Sequence, residues 1–482
     1  MGLVCSTTEC GLAVAATDGT EAYVSKPMPG AVCWHGYPAF DLDVLPGTVL
    51  ELLKRLSDDG WDLSEPGYFS QSWRQHDMVL VDRDGAPLMP ALSWQCNGAH
   101  KEAAQLNRLG EFHSSVGAIE PRFIAAKLPW ALAQEPSIER RIDAVMTSGD
   151  WFAGLLTSDQ FRLSTSDALS NGLLHQQTKQ VAIAPMEQAN KLLGGRFRPE
   201  WFPPVIPSHG VIGTVDPTGP PVWKDLCRRL RGWKVVASLG DNHASAAGCG
   251  AAEYDTIVLS LGTGGTINLP SPHDAKPAGK ILGFEYWDDR LFLLMLAECA
   301  AWYDRRRLEL APRATYEELN HMALRADLNQ LVRIFPGTAD QEVDSDLEAR
   351  IASTQCSIAI EMLDRVRLML DVATEPIRTF VLTGGLSRAP LIRETLYAGL
   401  RIIGRTDNRV TDDAQILLNN RSGQLSYKTD ALGALINTQI AAEEVSPRRV
   451  IMADRSWRSC DTPTLEREKR LTDVLESFGW VE

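Results

Sequence analysis

Three apolar segments of this chain run directly into glycine: Lys234 to Leu239 into Gly240, Thr256 to Leu261 into Gly262, and Arg378 to Thr383 into Gly384-Gly385. Each reads as a buried-type strand ended by a tight turn. Helical patterns lie among them. From Leu347 onward, Ile351, Ile358, Met362, Val366 and Met369 recur at steps of three, four and seven. Pro390 to Leu400 reads as a helix with proline in its first turn, and Asp430 to Ala442 as another. Strands alternating with helices imply an α/β architecture. Three Gly-rich turns after strands are expected on one edge of a sheet, where such proteins bind ligands.

Upstream, residues 2 to 26 read as three strands, with Asp18-Gly19 as a hairpin turn. Helices are expected near Gly47 to Leu56, His100 to Leu109 and from Ser148, and a short strand at Met78 to Val81. Residues 199 to 221 are dense in proline and glycine and predict a domain boundary. The expected division is 1–232, 233–445 and a tail, 446–482. A chain of 482 residues suits two large domains. The tail carries Trp457, Leu465, Leu471, Val474, Leu475, Phe478 and Trp480, too apolar for a disordered end, so a docked helix is expected.

A formal net charge of -14 argues against nucleic acid or an anionic membrane as partner. Backbone N–H groups can still hold an anionic nucleotide locally. The nine cysteines form no Cys-x-x-Cys pair, which fits a reduced, cytoplasmic setting. No signal peptide is read at the N-terminus. The longest apolar runs, such as Leu291 to Ala297, are far short of a membrane span.

Four loops could carry chemistry. In Leu239-Gly240-Asp241-Asn242-His243-Ala244, a carboxylate sits where a strand turns into a helix of small residues. Asp241 is either a general base for a hydroxyl proton or an N-cap aspartate. Gly262-Thr263-Gly264-Gly265-Thr266 can present N–H groups and hydroxyls to phosphate oxygens, or can be a plain hairpin turn. Gly384-Gly385-Leu386-Ser387-Arg388 lets backbone lie against a flat base or ribose, or simply joins a strand to a helix. Cys5-Ser6-Thr7-Thr8 could hold phosphate in a hairpin turn, or be β-prone surface. No P-loop and no strand-following G-x-G-x-x-G is present.

In order and spacing these loops resemble the FGGY family of carbohydrate kinases, over nearly the whole chain to about Ala442. The resemblance implies two ribonuclease-H-like (actin-like ATPase) α/β domains flanking a cleft. It implies ATP and Mg2+ as cofactors, a small sugar or polyol as partner, and it admits a homodimer. It implies Asp241 as catalytic base and contact to the acceptor. Thr7, Thr8, Gly262, Thr263, Gly264, Gly384, Gly385 and Ser387 would bind ATP. His76 and Trp94 would touch the sugar, Trp94 through its ring face and its single N–H. Closure about residues 199 to 232 would exclude water. Gly149-Asp150-Trp151 resembles a structural turn of the family.

The first loop departs from the family's Asp-x-Gly-Thr-Thr: Val4 stands at the aspartate and Ser6 at the glycine. Cys96 and Gly98 replace the Asp and Arg of a Trp-x-Asp-x-Arg substrate element. The protein ligands of the metal stay unassigned. Two functions remain open: a kinase for an unusual sugar or polyol, or a pseudokinase that keeps nucleotide binding and acts as a binding or regulatory protein.

Overall fold

A computed structural model describes residues 1–108, 116–158, 161–174, 198–216, 223–296, 298–334, 346–419, 428–443, 446–453, 457–460 and 462–480. The chain divides into two compact units. The first comprises Met1–Ala252, His273–Leu291 and Lys428–Arg455; the second comprises Glu253–Pro272, Phe292–Tyr427 and Ser456–Glu482. Among the described residues no helix is long and apolar enough to cross a membrane.

The first unit is built on a six-stranded sheet in the order Val211–Thr214, Lys234–Gly240, Tyr68–Trp73, Gly2–Cys5, Glu9–Ala15, Glu21–Pro27. Gly2–Cys5 pairs parallel with Tyr68–Trp73 and antiparallel with Glu9–Ala15. The helix Thr429–Glu443 lies against this sheet and against the helix Asp241–Gly248. The second contact explains the small residues after Asp241. A Cβ on Gly433 would stand 1.9 Å from the Ala244 carbonyl oxygen, and one on Gly248 would stand 1.9 Å from that of Thr429. Glycine here serves backbone-to-backbone approach between two helices. Buried Asn437 ties the same helix to the sheet, donating from Nδ2 to Ser70 Oγ (3.0 Å) and to the carbonyl of Ser208 (2.9 Å).

The second unit holds the strands Gly265–Ser271, Thr256–Leu261, Ile377–Thr383, Val410–Asn419 and Trp457–Ser459, adjacent in that order. The middle three are parallel and the outer two antiparallel to their neighbours. The helices Leu347–Leu370 and Pro390–Thr406 pack together. A Cβ on Gly399 would meet Leu363 at 2.2 Å, so that crossing also depends on glycine. Asp346 caps the longer helix, accepting from the N–H of Ala349 at 2.8 Å.

Three expectations change. The Gly-rich turns do not share one sheet. Lys234–Gly240 pairs parallel with Tyr68–Trp73 in the first unit, while the other two strands pair with each other in the second. The first unit accordingly continues past 232, to Ala252, and regains chain at 273–291 and 428–455. The 446–482 segment is more than a docked helix: it holds helices Pro447–Ala453 and Leu465–Ser477, with a strand Trp457–Ser459 between them on Val410–Asn419. The second of these helices is pinned to Pro390–Thr406 by an Arg467–Glu394 ion pair at 2.6 Å. The Pro/Gly-dense stretch supplies a sheet-edge strand at Val211–Thr214, and its residues 217–221 lie outside the described residues.

Candidate active site

Asp241 opens its helix, but it is not the cap. Gly240, with φ −62° and ψ 144°, occupies that position. The Asp241 carboxylate accepts from the backbone N–H of Asn242 at 3.0 Å and from its side-chain amide at 3.3 Å. Asn242 in turn donates to Gln75 Oε1 at 3.1 Å. Burial, helped by the Asp430 and Asp77 charges, raises the Asp241 carboxyl to about 6, although N–H groups of Asn242 and Gln75 oppose the rise. The side chain keeps some exposure. A partly exposed carboxyl that ionises just below neutrality is matched to proton acceptance.

The first loop turns tightly between its strands: Ser6 and Glu9 exchange hydrogen bonds through Ser6 Oγ and their main chains, at 2.9–3.1 Å. Thr7 is half-buried and Thr8 exposed. Val4 is buried within its strand, between Gly11 and Ser72. Trp94 donates its indole N–H to Thr7 Oγ1 at 2.8 Å, so that donor is committed to the loop and only the ring face stays available to a ligand.

His76 is buried, stacked on Phe123 at 4.7 Å, with Nδ1 3.3 Å from Asn171 Oδ1. Burial and the Arg122 and Lys127 charges hold its imidazole neutral, well below its usual pKa. Beneath it lies a charged network that sequence reasoning missed. Arg74 and Asp77, both fully buried, pair at 2.6 Å. Arg74 also donates to the Ser6 carbonyl at 2.7 Å and lies over Phe40, while Asp77 accepts from the Trp94 N–H at 3.2 Å. Lys127, fully buried, donates to the carbonyls of His76, Leu92 and Ser93. Burial lowers its ammonium to about 8. Arg74, Asp77 and Lys127 thus bind the first loop, the His76 segment and the Trp94 segment together. The i,i+3 spacing of Arg74 and Asp77 was the only sequence signal for this.

Gly98 cannot host a larger side chain here, because a Cβ would lie 2.5 Å from the Trp130 ring and 2.9 Å from that of Tyr37. Trp130, Tyr37 and Trp34 form an edge-to-face cluster in that space. Aromatic packing thus fills the space beside Gly98.

Gly149-Asp150-Trp151 lies in the capped start of the helix Ser148–Leu156, with Thr147 Oγ1 accepting from the Asp150 N–H at 3.3 Å. Asp150 is fully buried beside Asp167, and burial raises its carboxyl to about 7. The folded chain therefore binds a proton there that the unfolded chain has released above its ordinary pKa near 4. Stability should fall as pH rises from about 4 to 7, by up to about 4 kcal/mol. Asp150→Asn is expected to gain stability relative to the parent across that window. Urea melts at pH 5 and pH 8 read the gain, and parallel pH slopes in both proteins would remove Asp150 from this account.

In the second unit, Gly262-Thr263-Gly264 is a three-residue hairpin loop closed by Leu261 and Gly265. The carbonyls of Gly262 and Thr263 accept from the N–H groups of Cys299, Ala300 and Ala301 at the start of helix Ala300–Leu310. A Cβ on Gly262 would meet only the Gly264 carbonyl, at 3.4 Å. Gly384 has φ +84°, and a Cβ there would overlap the Leu261 backbone at 2.6–2.8 Å, so the two loops lie side by side. Gly385 faces open space, and Ser387 Oγ donates to the Gly384 carbonyl at 2.7 Å. Thus Thr7, Thr8, His76, Trp94 and Asp241 belong to the first unit, and Gly262, Thr263, Gly264, Gly384, Gly385 and Ser387 to the second.

The sequence profile for the N-terminal domain of the FGGY family of carbohydrate kinases matches residues 36–248. A xylulose kinase of Streptomyces coelicolor is 29% identical over 262 residues, 52% of this chain and 50% of that protein. One of Staphylococcus epidermidis is 26% identical over 202 residues, 41% of this chain and 38% of that protein. These matches span about half or less of the relatives' length. Among solved structures, xylulose kinase from Rhodospirillum rubrum superposes with a TM-score of 0.77 at 19% identity, covering 99% of this chain and 97% of that one. Gluconate kinase from Lactobacillus acidophilus gives 0.78 at 15%, covering 99% and 96%. The fold is that of the sugar kinases, with two ribonuclease-H-like domains.

Proposed function

We propose that this chain, a member of the FGGY family of carbohydrate kinases, transfers the γ-phosphoryl group of ATP to a hydroxyl of a sugar or polyol, with Asp241 as general base. The observation that carries the proposal is Asp241 itself. It is released from the capping role by Gly240, and its carboxyl is poised near 6.

ATP fits the second unit's open-faced loops, where Gly262 and Gly385 leave room that a side chain would fill. The hairpin at Gly262, Thr263 and Gly264 would meet phosphates, and Gly384, Gly385 and Ser387 the adenosine. In the first unit Thr7 and Thr8 would meet the γ-phosphate, and His76 and the Trp94 ring the acceptor. Val4 offers no oxygen to a metal, and among the described residues no group of three His, Cys, Asp or Glu could hold one. Mg2+ commonly takes phosphate oxygens and water plus one or two carboxylates. The residues present therefore fit an ion that arrives on ATP, with Asp241 as its protein carboxylate. Bound there, the ion would offset charge on the β- and γ-phosphate oxygens.

Buried Val4 supports a second reading, a nucleotide-binding pseudokinase with a binding or regulatory role. Calorimetric titration with Mg-ATP, followed by ADP release against a pooled library of sugars and polyols, separates the two. Release stimulated by one acceptor supports the kinase. ATP binding with no stimulated release supports the pseudokinase, and absence of ATP binding overturns both.

A further inference from the structure

We propose that the second unit carries a binding site for a phosphomonoester of a small polyol, set between the end of helix Pro390–Thr406 and the bulged start of strand Val410–Asn419. This goes beyond the phosphoryl-transfer reading and does not depend on Asp241. The site begins with the strand register. Ile377 pairs with Val410, but Thr379 pairs with Gln415, so residues 411–414 stand opposite Arg378 alone and leave the regular ladder. Between this bulge and the helix lies a cavity of about 230 Å³. Its floor is apolar, made by buried Phe380, Leu400 and Ile416. Phe380 comes four residues before Gly384 along its strand, a separation of roughly 13 Å. The cavity is therefore distinct from the loops proposed for ATP.

Arg401 and Arg405, one helical turn apart, line the same side of the cavity. Arg401 is half-buried and has no ion-pair or hydrogen-bond partner among the described residues. Arg405 meets Glu468 at 3.5 Å. Helix polarity accounts for a cation in the last turn, where Arg405 lies, but not for Arg401, which precedes that turn. One guanidinium fork satisfies a carboxylate. Two forks match a phosphomonoester, which has three terminal oxygens and roughly two negative charges at neutral pH. The bulge supplies the other half of the site. Asp412 lines the cavity from an exposed position, where it can accept from ligand hydroxyls and turn the phosphate toward the helix by repulsion. The Thr411 hydroxyl is buried without a hydrogen-bond partner among the described residues, and a rotation about χ1 would present it to an occupant. The apolar floor suits a short carbon chain. Drug-sized ligands fill roughly 300–1,000 Å³, so this smaller cavity excludes a nucleotide and fits a small ester.

The test is calorimetric titration of the full chain with glycerol 3-phosphate and D-ribose 5-phosphate, against glycerol, D-ribose, inorganic phosphate and D-gluconate. Saturable binding of the two esters is expected with Kd below about 1 mM, at least tenfold tighter than inorganic phosphate and with no binding of the neutral polyols. Arg401→Ala and Arg405→Ala are each expected to weaken it at least fivefold. Neither side chain is buried, so both variants should keep the parent's urea midpoint. Inorganic phosphate bound as tightly as the esters would overturn the polyol assignment, and gluconate bound as tightly would overturn the phosphate assignment. Undiminished binding in both variants would place the ligand elsewhere and overturn the site, as would no saturable binding by the parent. If a variant does not fold, the parent's preference among these ligands decides alone. None of these outcomes touches the proposed phosphoryl transfer, which is read by ADP release.

Discussion

Asp241→Asn is expected to lower acceptor-stimulated ADP release by roughly 10²–10⁴-fold, the usual contribution of a positioned base, while Mg-ATP still binds. Asparagine has the same shape, and its oxygen can keep the 3.0 Å contact to the Asn242 N–H. The proton acceptor is lost, together with the carboxylate proposed for Mg2+, an ion that the phosphate oxygens of ATP would still hold. The parent protein should show a matching pH limb. Its base works as the carboxylate, so kcat/KM should fall as pH drops through about 6, the value to which burial and the Asp430 and Asp77 charges raise Asp241. The variant's residual activity should lack that limb. Steady-state rates from pH 5 to 8 for both proteins decide it, and an undiminished variant would exclude Asp241 from the mechanism.

Gly433→Val is expected to destabilise the first unit by about 3 kcal/mol, read as a lowered urea midpoint. The nearest atoms to a new Cβ are backbone, the Ala244 carbonyl oxygen at 1.9 Å and its carbon at 2.4 Å. No side chain can rotate away to relieve the clash, so the two helices must separate. The helix displaced is the one that begins at Asp241, so protein that still folds should also lose turnover. A fully stable variant would mean that the helices can part without penalty.

The elements were legible because apolar runs, caps and turn residues are local signals. The hairpin at Asp18-Gly19 and the helix from Leu347 both appear where the pattern puts them. Sheet membership was not legible. Lys234–Gly240 looks like the other two strands that end in glycine, yet its partner is Tyr68–Trp73, and pairing over such separations leaves no mark in either segment. The site divides in the same way. Asp241 stood out at a strand-to-helix junction, but only the backbone at Gly240 shows that it is not the cap. Trp94 was identified, yet its N–H serves Thr7, 87 residues away, and not a ligand. Arg74, Asp77, Lys127 and Arg122 went unnoticed because charged residues in a sequence ordinarily indicate solvated surface, and these four are buried.

The helix Thr429–Glu443 completes the sheet that begins at Gly2, and this bears on how the molecule is made. On the ribosome the first unit's opening strands emerge early. The helix that covers them follows more than four hundred residues later, after most of the second unit has been translated. At a typical elongation rate of about 5–20 residues per second, that sheet face waits tens of seconds for its cover. Most of the second unit is translated in that interval, although its edge strand Trp457–Ser459 and its helix Leu465–Ser477 follow later still. A translation stall before residue 428 would therefore leave the Asp241 helix without the partner that seats it.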